Sequence, residues 1–503
     1  MNVHAANVQR GGAGVNGRRR VVGCAAVSAA ATEPKRPLKE DLRALFRAPR
    51  ELWIVLFAKF LESIGLFSLL YTVVLWLSHD YGFSDVKAGW WVGTFSMCLS
   101  LLAFVTGFVA DSIGFRTALM IAFGSSTLAR AVMSFSQSST MAITGLMLLT
   151  VGAAAGVPVM NVALRRYTNA KNRTFAFSIY YLSFNIGGAV AGWLVDRCRN
   201  AFKGENDAQI FRQIDLPIVG ETRMSAYSMV YLVGFGFALL AFLVSFCLRK
   251  NPPVEDEEPA EVFAPGAKRR DPISIAIDVM KERAFWRFLL FMGLLALVKL
   301  IFQHYHFTFP KWAIRELGEG FPLGKYQSIN PVLIIFLVPI ATIFTRHRSA
   351  FNCIVLGSIV STASIFALCF PPQLQFALFG MRWSVTILLS ILILSLGEAL
   401  WSPRVYEYSA VIAPRGKEAS YMGLSALPFF FAKMVAGPMS GYLLARYCAA
   451  TGPRHSWVMW AIIGAMTAMG PILILAFRGV IEKKDEPRAV KDKADTSETP
   501  VAA

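Results

Sequence analysis

Long apolar blocks separated by short polar loops dominate the chain. The blocks lie near 53–77, 88–110, 116–137, 140–164, 175–195 and 227–248, and again near 285–309, 327–345, 351–370, 382–402, 420–445 and 457–478. Each has about the 20 residues that an α-helix needs to cross a bilayer. Because hydrocarbon offers no hydrogen-bond partner to free backbone groups, we expect each block to be a transmembrane helix. The pattern predicts an all-α membrane protein with twelve spans.

The composition agrees with this class and argues against a soluble protein. Of the 503 residues, 55% are hydrophobic and only 16% are charged. Soluble domains carry charge on about a quarter of their residues. The sequence has no glycine-rich loop of the kind that cradles nucleotide phosphates, so ATP is not expected to drive transport directly. Nothing in it indicates an enzyme or a cofactor.

The net charge of +18 suggests a nucleic-acid partner at first, but the placement of the basic residues argues against one. They cluster in alternate loops: Arg165, Arg166, Lys171, Arg173, Lys268, Arg269, Arg270, Lys281, Arg283, Arg346, Arg348, Arg415, Lys417, Lys483 and Lys484. By the positive-inside rule these loops are cytoplasmic, which also places both termini inside. A basic membrane face explains the charge, and we expect no nucleic acid to bind.

The seven cysteines show no spacing typical of a metal site, and no bound metal is expected. Cys198 and Cys448 both fall near the predicted outer face, where a disulfide between them is one interpretation. Two separate thiols are the simpler one.

The loops and tails divide the chain into five regions. Residues 1–50 are rich in Ala, Gly and Arg, which suits either a disordered cytoplasmic tail or an organellar targeting segment. Two six-helix bundles, 51–250 and 285–480, flank a cytoplasmic linker, 251–284, and a cytoplasmic tail occupies 481–503. The linker includes a candidate amphipathic helix near its end. A six-and-six division predicts two pseudo-symmetric bundles around a central site. The expected membrane is the plasma membrane, or an organellar one if residues 1–38 are a transit peptide.

A charged turn lies between the second and third spans, in the run GFVADSIGFR from Gly107 to Arg116. Gly107 and Gly114 permit a tight turn, while Asp111 and Arg116 supply opposite charges that could hold one conformation and release in another. The run resembles the signature loop of the major facilitator superfamily. The resemblance implies that superfamily's fold, with this loop as a conformational clasp.

Two further stretches resemble proton-dependent oligopeptide transporters, the POT family. The first runs from Asn172 to Tyr181 and on to Gly187-Gly188, and is similar to the start of that family's fifth helix. The second begins at Gly397-Glu398 and continues through Ser402-Pro403, Ala413-Pro414 and Met422-Gly423, and is similar to its tenth and eleventh helices. The resemblance implies a symporter that carries short peptides, and it implies that Glu398 binds a substrate amine.

The sequence departs from that family in the first, fourth and seventh helices. The family's first helix carries two Glu and an Arg before a Tyr-Gly, but here Lys59 takes the second Glu position and Phe60 takes the Arg. The fourth-helix Lys is absent, and the seventh helix has Lys299 and Gln303 where the family usually has a carboxylate beside the Gln. The chain therefore looks like a divergent branch, in which proton coupling and a peptide substrate both stay open.

Ionisable residues inside apolar spans are the candidate site, because a charge at mid-membrane costs about 2.5–3.5 kcal/mol on insertion scales. The candidates for substrate binding or proton coupling are Lys59, Glu62, Lys299, Gln303, Glu398 and Lys433. Lys59 and Glu62 are three residues apart, so they share a helix face and could pair. An excess of cations favours a solute with at least one negative group, which Lys59 and Lys299 would clamp.

Other interpretations apply to several of these residues. Glu398 could take up a proton instead of binding an amine, and Lys433 could form a structural ion pair between helices. Arg130 is expected to extend toward the outer interface. His304 and His306 are expected to be interface residues without a role.

Three functional hypotheses remain. The first is a secondary transporter of a small anionic or zwitterionic organic solute, with short peptides as the leading candidates and protons as candidate co-substrates. The second is a proton-independent facilitator or exchanger. The third is a receptor that uses the same fold without transport. In each case the expected partners are a small molecule and the lipid bilayer, and the expected state is a monomer.

Overall fold

The computed structural model describes residues 47–113, 115–168, 173–217, 219–249, 280–345, 347–412 and 427–481. Most of the two predicted tails and of the linker lies outside these residues, including most of the candidate amphipathic helix. The five domain bounds therefore stay predictions.

Six long helices form the first half of the described chain. They are α1 (Arg50–Tyr81), α2 (Asp85–Ile113), α3 (Phe115–Ser134), α4 (Ser139–Arg166), α5 (Arg173–Ala201) and α6 (Ala226–Ser245). Gly82 ends α1 in the left-handed conformation, at φ 65°, and its amide donates to carbonyl oxygens of the last turn. This backbone conformation is one that glycine adopts without steric cost, so the chain reverses within three residues into α2.

Six more long helices form the second half. They are α7 (Arg283–Phe307), α9 (Leu323–Thr345), α10 (Ala350–Ala367), α11 (Val385–Ile412), α12 (Leu427–Tyr447) and α13 (Ser456–Ala476), with short helices α8 (Phe309–Leu317) and α14 (Arg478–Ile481). The twelve long helices overlap the twelve predicted spans. By length and composition, nine of the described helices can cross a membrane. The predicted all-α membrane fold is confirmed.

The segments that the hydropathy pattern missed lie between the long helices. Helix α8 and two antiparallel hairpins, β1 (Arg212–Leu216) with β2 (Gly220–Met224) and β3 (Gln375–Leu378) with β4 (Met381–Ser384), cover one end of the bundle. Exposed and more buried residues alternate over most of β1, β2 and β4, whereas all four residues of β3 are exposed. Strands of four or five residues are too short for a clear period. We call this end, which also carries the loops at 82–84 and 135–138, the outer end.

The two halves meet along two pairs of helices, α2 with α12 and α5 with α9. Glycines allow the backbones to touch at both crossings. A methyl group added to Gly437 would lie 2.5 Å from the carbonyl oxygen of Gly89, and one added to Gly324 would lie 1.8 Å from that of Gly192. Both are closer than any real contact, so side chains are excluded there. Gly89 and Gly324 lie near the outer ends of α2 and α9, Gly192 lies in the outer half of α5, and Gly437 lies at the middle of α12. The backbones of the two halves therefore touch in the outer part of the bundle.

Ion pairs join the halves at the outer end. Asp85, at the start of α2, accepts hydrogen bonds from Lys311 Nζ at 2.7 Å and from Arg315 Nη2 at 2.8 Å, both on α8. Lys311 also donates to Ser78 of α1. Paired charges of this kind depend on both partners staying in place. They hold the outer end closed.

A second set of contacts links α5 to the start of α9. Asp196 accepts hydrogen bonds from the backbone amides of Gly324 and Lys325 at 2.7 and 2.8 Å. Arg199 donates to the backbone oxygens of Phe321 and Glu319 at 2.8 and 2.9 Å. Asp196 satisfies amides that the first turn of a helix leaves without partners, and its negative charge suits that end of the helix.

Candidate functional site

A cavity of about 300 Å³ lies between the two halves, lined by residues of α1, α5, α7, α8, α9 and α11. Its walls are largely aromatic and aliphatic, with polar groups from Tyr71, Asn185, His306, Asn330 and Glu398. Concave, mostly apolar sites with a few converging polar groups are typical of small-molecule binding. Of the predicted candidates, Glu398 alone is among the residues that line the described cavity.

Glu398 is partly exposed within this cavity and contacts a neutral partner. Asn330 of α9 donates from Nδ2 to Glu398 Oε2 at 3.0 Å and to Ser395 Oγ, also at 3.0 Å. Pro331 follows Asn330 inside α9, and Pro403 lies inside α11 five residues after Glu398. Proline removes a backbone hydrogen bond and tends to bend a helix, so α9 and α11 each lack a regular backbone hydrogen bond close to the cavity. The carboxylate is thus positioned by an amide, and a solute can still reach it.

Tyr71 and His306 meet across the cavity from opposite halves. Their rings stack at a centroid distance of 6.0 Å, with an interplanar angle of 7°. His306 Nδ1 contacts the carbonyl oxygen of Phe302 at 2.5 Å, and the Tyr71 hydroxyl donates to the carbonyl oxygen of Gln327 at 3.3 Å. His306 was expected at the membrane interface, which is wrong. One signal was available, because His306 follows Phe302 by one helical turn and so lies on the same face.

Lys299 lies near both Glu398 and Lys433, and the described residues show no ion pair between either lysine and Glu398. Lys299 Nζ lies 4.1 Å from the ring centroid of Phe429 and 5.7 Å from that of Trp401. Lys433 of α12 donates to Ser100 Oγ of α2 at 3.3 Å, which links the halves. Lys299 is close enough to interact electrostatically with both Lys433 and Glu398. We call Lys299, Lys433 and Glu398 the open charge group; it holds two cations and one carboxylate.

Lys59 and Glu62 form an ion pair inside the first half, as their spacing predicted. Lys59 Nζ lies 2.9 Å from Glu62 Oε2, and the residues are only 1% and 8% exposed. The ammonium also lies 4.9 Å from the ring centroid of Phe184. Neither residue lines the described cavity. Whether either takes part in binding or coupling stays a prediction.

Arg130 completes this second cluster, and the expectation that it extends to the outer interface is wrong. It is 4% exposed and packs against Gly65 of α1, where an added methyl group would lie 2.6 Å from its guanidinium. It interacts electrostatically with Glu62. Hydropathy gives the depth of a residue but not the direction it faces, which is why the sequence misplaced it. We call Lys59, Glu62 and Arg130 the closed charge group.

The remaining predicted residues lie away from the cavity or outside the described residues. Gln303 is half-buried on α7 and does not line the cavity. For the clasp, Arg116 Nη2 donates to the carbonyl oxygen of Phe246 after α6 at 3.0 Å. Gly114 lies outside the described residues, and of Gly107 and Asp111 only the helical backbone is described. The clasp therefore stays a prediction.

The six cysteines that the structure describes are not paired. Cys198 and Cys448 are both free and buried, so the disulfide between them was the wrong interpretation. Within the described ranges, no group of three His, Cys, Asp or Glu side chains is arranged to hold a metal ion.

The family of the chain follows from its sequence profile. The profile of the Major Facilitator Superfamily matches residues 55–432. The chain belongs to this superfamily. Its function class is therefore membrane transport, and the two-bundle architecture is that of its superfamily. Among curated protein sequences, none matches this superfamily member significantly.

Solved structures similar to this superfamily member include several POT transporters. The POT family transporter PepTSo superposes with a TM-score of 0.66 at 13% identity, covering 87% of this chain and 99% of the other. A POT family transporter in complex with 5-aminolevulinic acid gives a TM-score of 0.64 at 15% identity, covering 86% and 97%. A peptide transporter in complex with alafosfalin gives 0.64 at 16% identity, covering 88% and 98%. Identities this low show a shared fold alone.

Proposed function

We propose that this chain is a secondary transporter that moves a small anionic or zwitterionic organic solute by alternating access. Short peptides are the leading candidates, and proton coupling is part of the proposal. The observation that carries it is the position of Glu398, which faces a cavity between the two halves with only a neutral amide as its described hydrogen-bond partner. A buried charge without an opposite partner is costly, so a bound charge would relieve it.

The charges around the cavity support the proposed solute class. The open charge group has an excess of one positive charge, which favours a solute that brings at least one anionic group. Glu398 would bind the amine of a zwitterion, while Lys299 would attract its carboxylate. A zwitterion such as a peptide satisfies both. Among the similar structures, one holds 5-aminolevulinic acid and another holds a thioalcohol conjugated peptide.

The outer contacts support alternating access. Asp85 with Lys311 and Arg315, and Asp196 with the start of α9, connect the halves at the outer end. Toward the inner end, a wider space between α5 and α9 adjoins the cavity and shares lining residues with it. This is the arrangement expected of a carrier closed outside and accessible from inside, and breaking the outer contacts would reverse it.

Reconstituted uptake tests the proposal. Labelled dipeptide, amino acid or organic anion would be supplied outside the proteoliposomes under an inward proton gradient, with counterflow measured in parallel on vesicles loaded with the unlabelled solute. Glu398→Gln keeps the shape but removes the charge, and is expected to abolish gradient-driven accumulation. Glu205→Gln, at an exposed position on an outer loop, is the matched control and should leave uptake unchanged. Unchanged driven uptake in Glu398→Gln would reject the role.

A proton-independent facilitator is the second candidate, and one observation favours it. Glu62, which occupies the first-helix region where the POT family is rich in acids, is held in an ion pair with Lys59. Its carboxylate is therefore already matched by a cation of the same helix, at 2.9 Å, and is not free for a coupled ion. Counterflow that continues when the proton gradient is collapsed, with no accumulation in its presence, would support this candidate. Binding without any flux would instead support a receptor.

A further inference from the structure

A wide apolar space adjoins the central cavity between α5 and α9. It has a volume of about 1110 Å³, and its walls come from the inner half of α5, the inner half of α9 and the bend of α11. Ile179, Leu182, Ile334, Val338 and Ile343 supply most of its surface. We call this space the apolar crevice.

The crevice follows from the spacing of small and large residues on two helices. At the outer end, α5 and α9 touch through Gly192 and Gly324, where no side chain fits. Toward the inner end, α9 carries large aliphatic residues and contains two prolines, Pro331 and Pro339. Helices that touch at one end and carry large residues beyond a bend must diverge. The crevice is thus a built feature of this pair of helices.

The crevice and the central cavity are neighbours. Tyr181, Asn185 and Ser402 line both spaces. Ser402 follows Glu398 by four residues on α11, which is one helical turn. A molecule bound through Glu398 therefore lies next to the wall that the two spaces share.

We propose that the apolar crevice binds the apolar part of the transported solute, whose charged groups lie at Glu398 and Lys299. This inference rests on the proposed function and narrows it. The preferred solute is an amphipathic acid or zwitterion with a long or bulky apolar group, such as a peptide with large aliphatic side chains. A small, wholly polar solute would leave the crevice walls uncovered and gain nothing from them.

The position of the crevice and the chemistry of its walls together indicate what fills it. The crevice adjoins a site with charged groups, whereas its own walls are mostly hydrocarbon. Its volume is more than three times that of the central cavity, at about 1110 against 300 Å³. A ligand with one polar and one apolar end matches both spaces. Its polar end loses water only beside charged groups, and its apolar end loses water only against hydrocarbon walls.

A series of glycyl dipeptides tests the inference. The second residue would carry an unbranched side chain of one to six carbons, and binding to the purified full-length protein would be measured by calorimetry. If the crevice takes the side chain, affinity should rise about fourfold for each added methylene group. An affinity that does not change with chain length would overturn the inference.

A matched pair of variants locates the effect. Val338→Trp fills the crevice and should remove the chain-length dependence of dipeptide affinity. Val332→Trp makes the same change on an exposed face of α9 that does not line the crevice, and it should keep the full dependence. If Val338→Trp does not fold, the wild-type series still decides the question.

The outcomes separate this inference from the proposed function. If short dipeptides bind and are transported but longer ones gain nothing, the inference fails and the proposed function stands. If no dipeptide, amino acid or organic anion binds or moves, the proposed function fails and this inference fails with it. A flat series together with phospholipid that co-purifies with wild type but not with Val338→Trp would assign the crevice to lipid, which also overturns the inference.

Discussion

The two buried charge groups have the same composition but different partners. Each contains two cations and one carboxylate. In the closed charge group, Glu62 lies 2.9 Å from the Lys59 ammonium, and Arg130 packs beside them against Gly65. In the open charge group, Glu398 receives a hydrogen bond from the neutral amide of Asn330, and Lys299 faces aromatic rings.

The difference shows which group is available to a solute. A direct ion pair inside a helix bundle compensates much of the cost of burying both charges, and removing one partner leaves the other uncompensated. In the open group, Glu398 faces the cavity and Lys299 contacts aromatic rings, so among the described contacts no direct ion pair compensates the cost of their burial before a ligand arrives. We therefore expect changes in the closed group to affect stability first, and changes in the open group to affect transport first.

The largest expected effect is on stability, from Glu62→Gln. This change leaves Lys59 and Arg130 buried without a carboxylate, which should cost about 3–5 kcal/mol in the free energy of unfolding. Denaturation of the purified protein in detergent would measure it. Glu398→Gln is the matched control in the open group, and its stability should change far less. Equal losses in the two variants would break the comparison.

A substitution in the open group should act on affinity. Lys299→Gln removes the cation proposed to attract the solute's carboxylate, so binding should weaken by about 30-fold or more while stability stays close to wild type. The measurement is calorimetric binding of a transported dipeptide. Lys87→Gln, at an exposed outer position, provides the control for charge alone. Unchanged affinity in Lys299→Gln would remove Lys299 from the site.

A smaller effect should follow from the residue that positions Glu398. Asn330→Ala deletes the hydrogen bond to the carboxylate, and initial uptake rates should fall by about tenfold, since hydrogen bonds to charged groups contribute about 1.5–3 kcal/mol. Ser395→Ala deletes the other contact of the same amide and leaves Glu398 untouched, so its effect should be smaller. The test is which variant has the lower initial uptake rate, and Asn330→Ala is expected to be the slower. A lower rate in Ser395→Ala would show that Asn330 acts through Ser395.

The sequence predicted the membrane part of the fold because the bilayer constrains it so strongly. In hydrocarbon every backbone N–H and C=O must find its hydrogen-bond partner within the protein, which favours helices. Length and hydropathy were therefore enough to find all twelve long helices. Helix α8 and the hairpins were missed because no such constraint acts at the outer end. The sequence predicted that Glu398 lies well inside its helix span. It did not predict which way a side chain faces: Arg130 points into the bundle, where it is 4% exposed.

The candidate site was only partly predictable for a related reason. Asp85 and its partners Lys311 and Arg315 are more than 200 positions apart in the chain, and no local pattern connects them. Asn330 gave a weak signal, as a polar residue before a proline within an apolar span, but its contact with Glu398 depends on how α9 and α11 pack. Pairings between distant helices need coordinates.

The glycine crossing of α2 with α12 sets a limit on how far the outer end can close. A methyl group on Gly437 would collide with backbone atoms of α2, which cannot rotate away as a side chain can. A single alanine there would act as a wedge that keeps α8 from bringing Lys311 and Arg315 onto Asp85. The resting state of such a carrier would then be open to the outside. The methyl group of one alanine, far from the central cavity, would determine the side of the membrane to which that cavity opens.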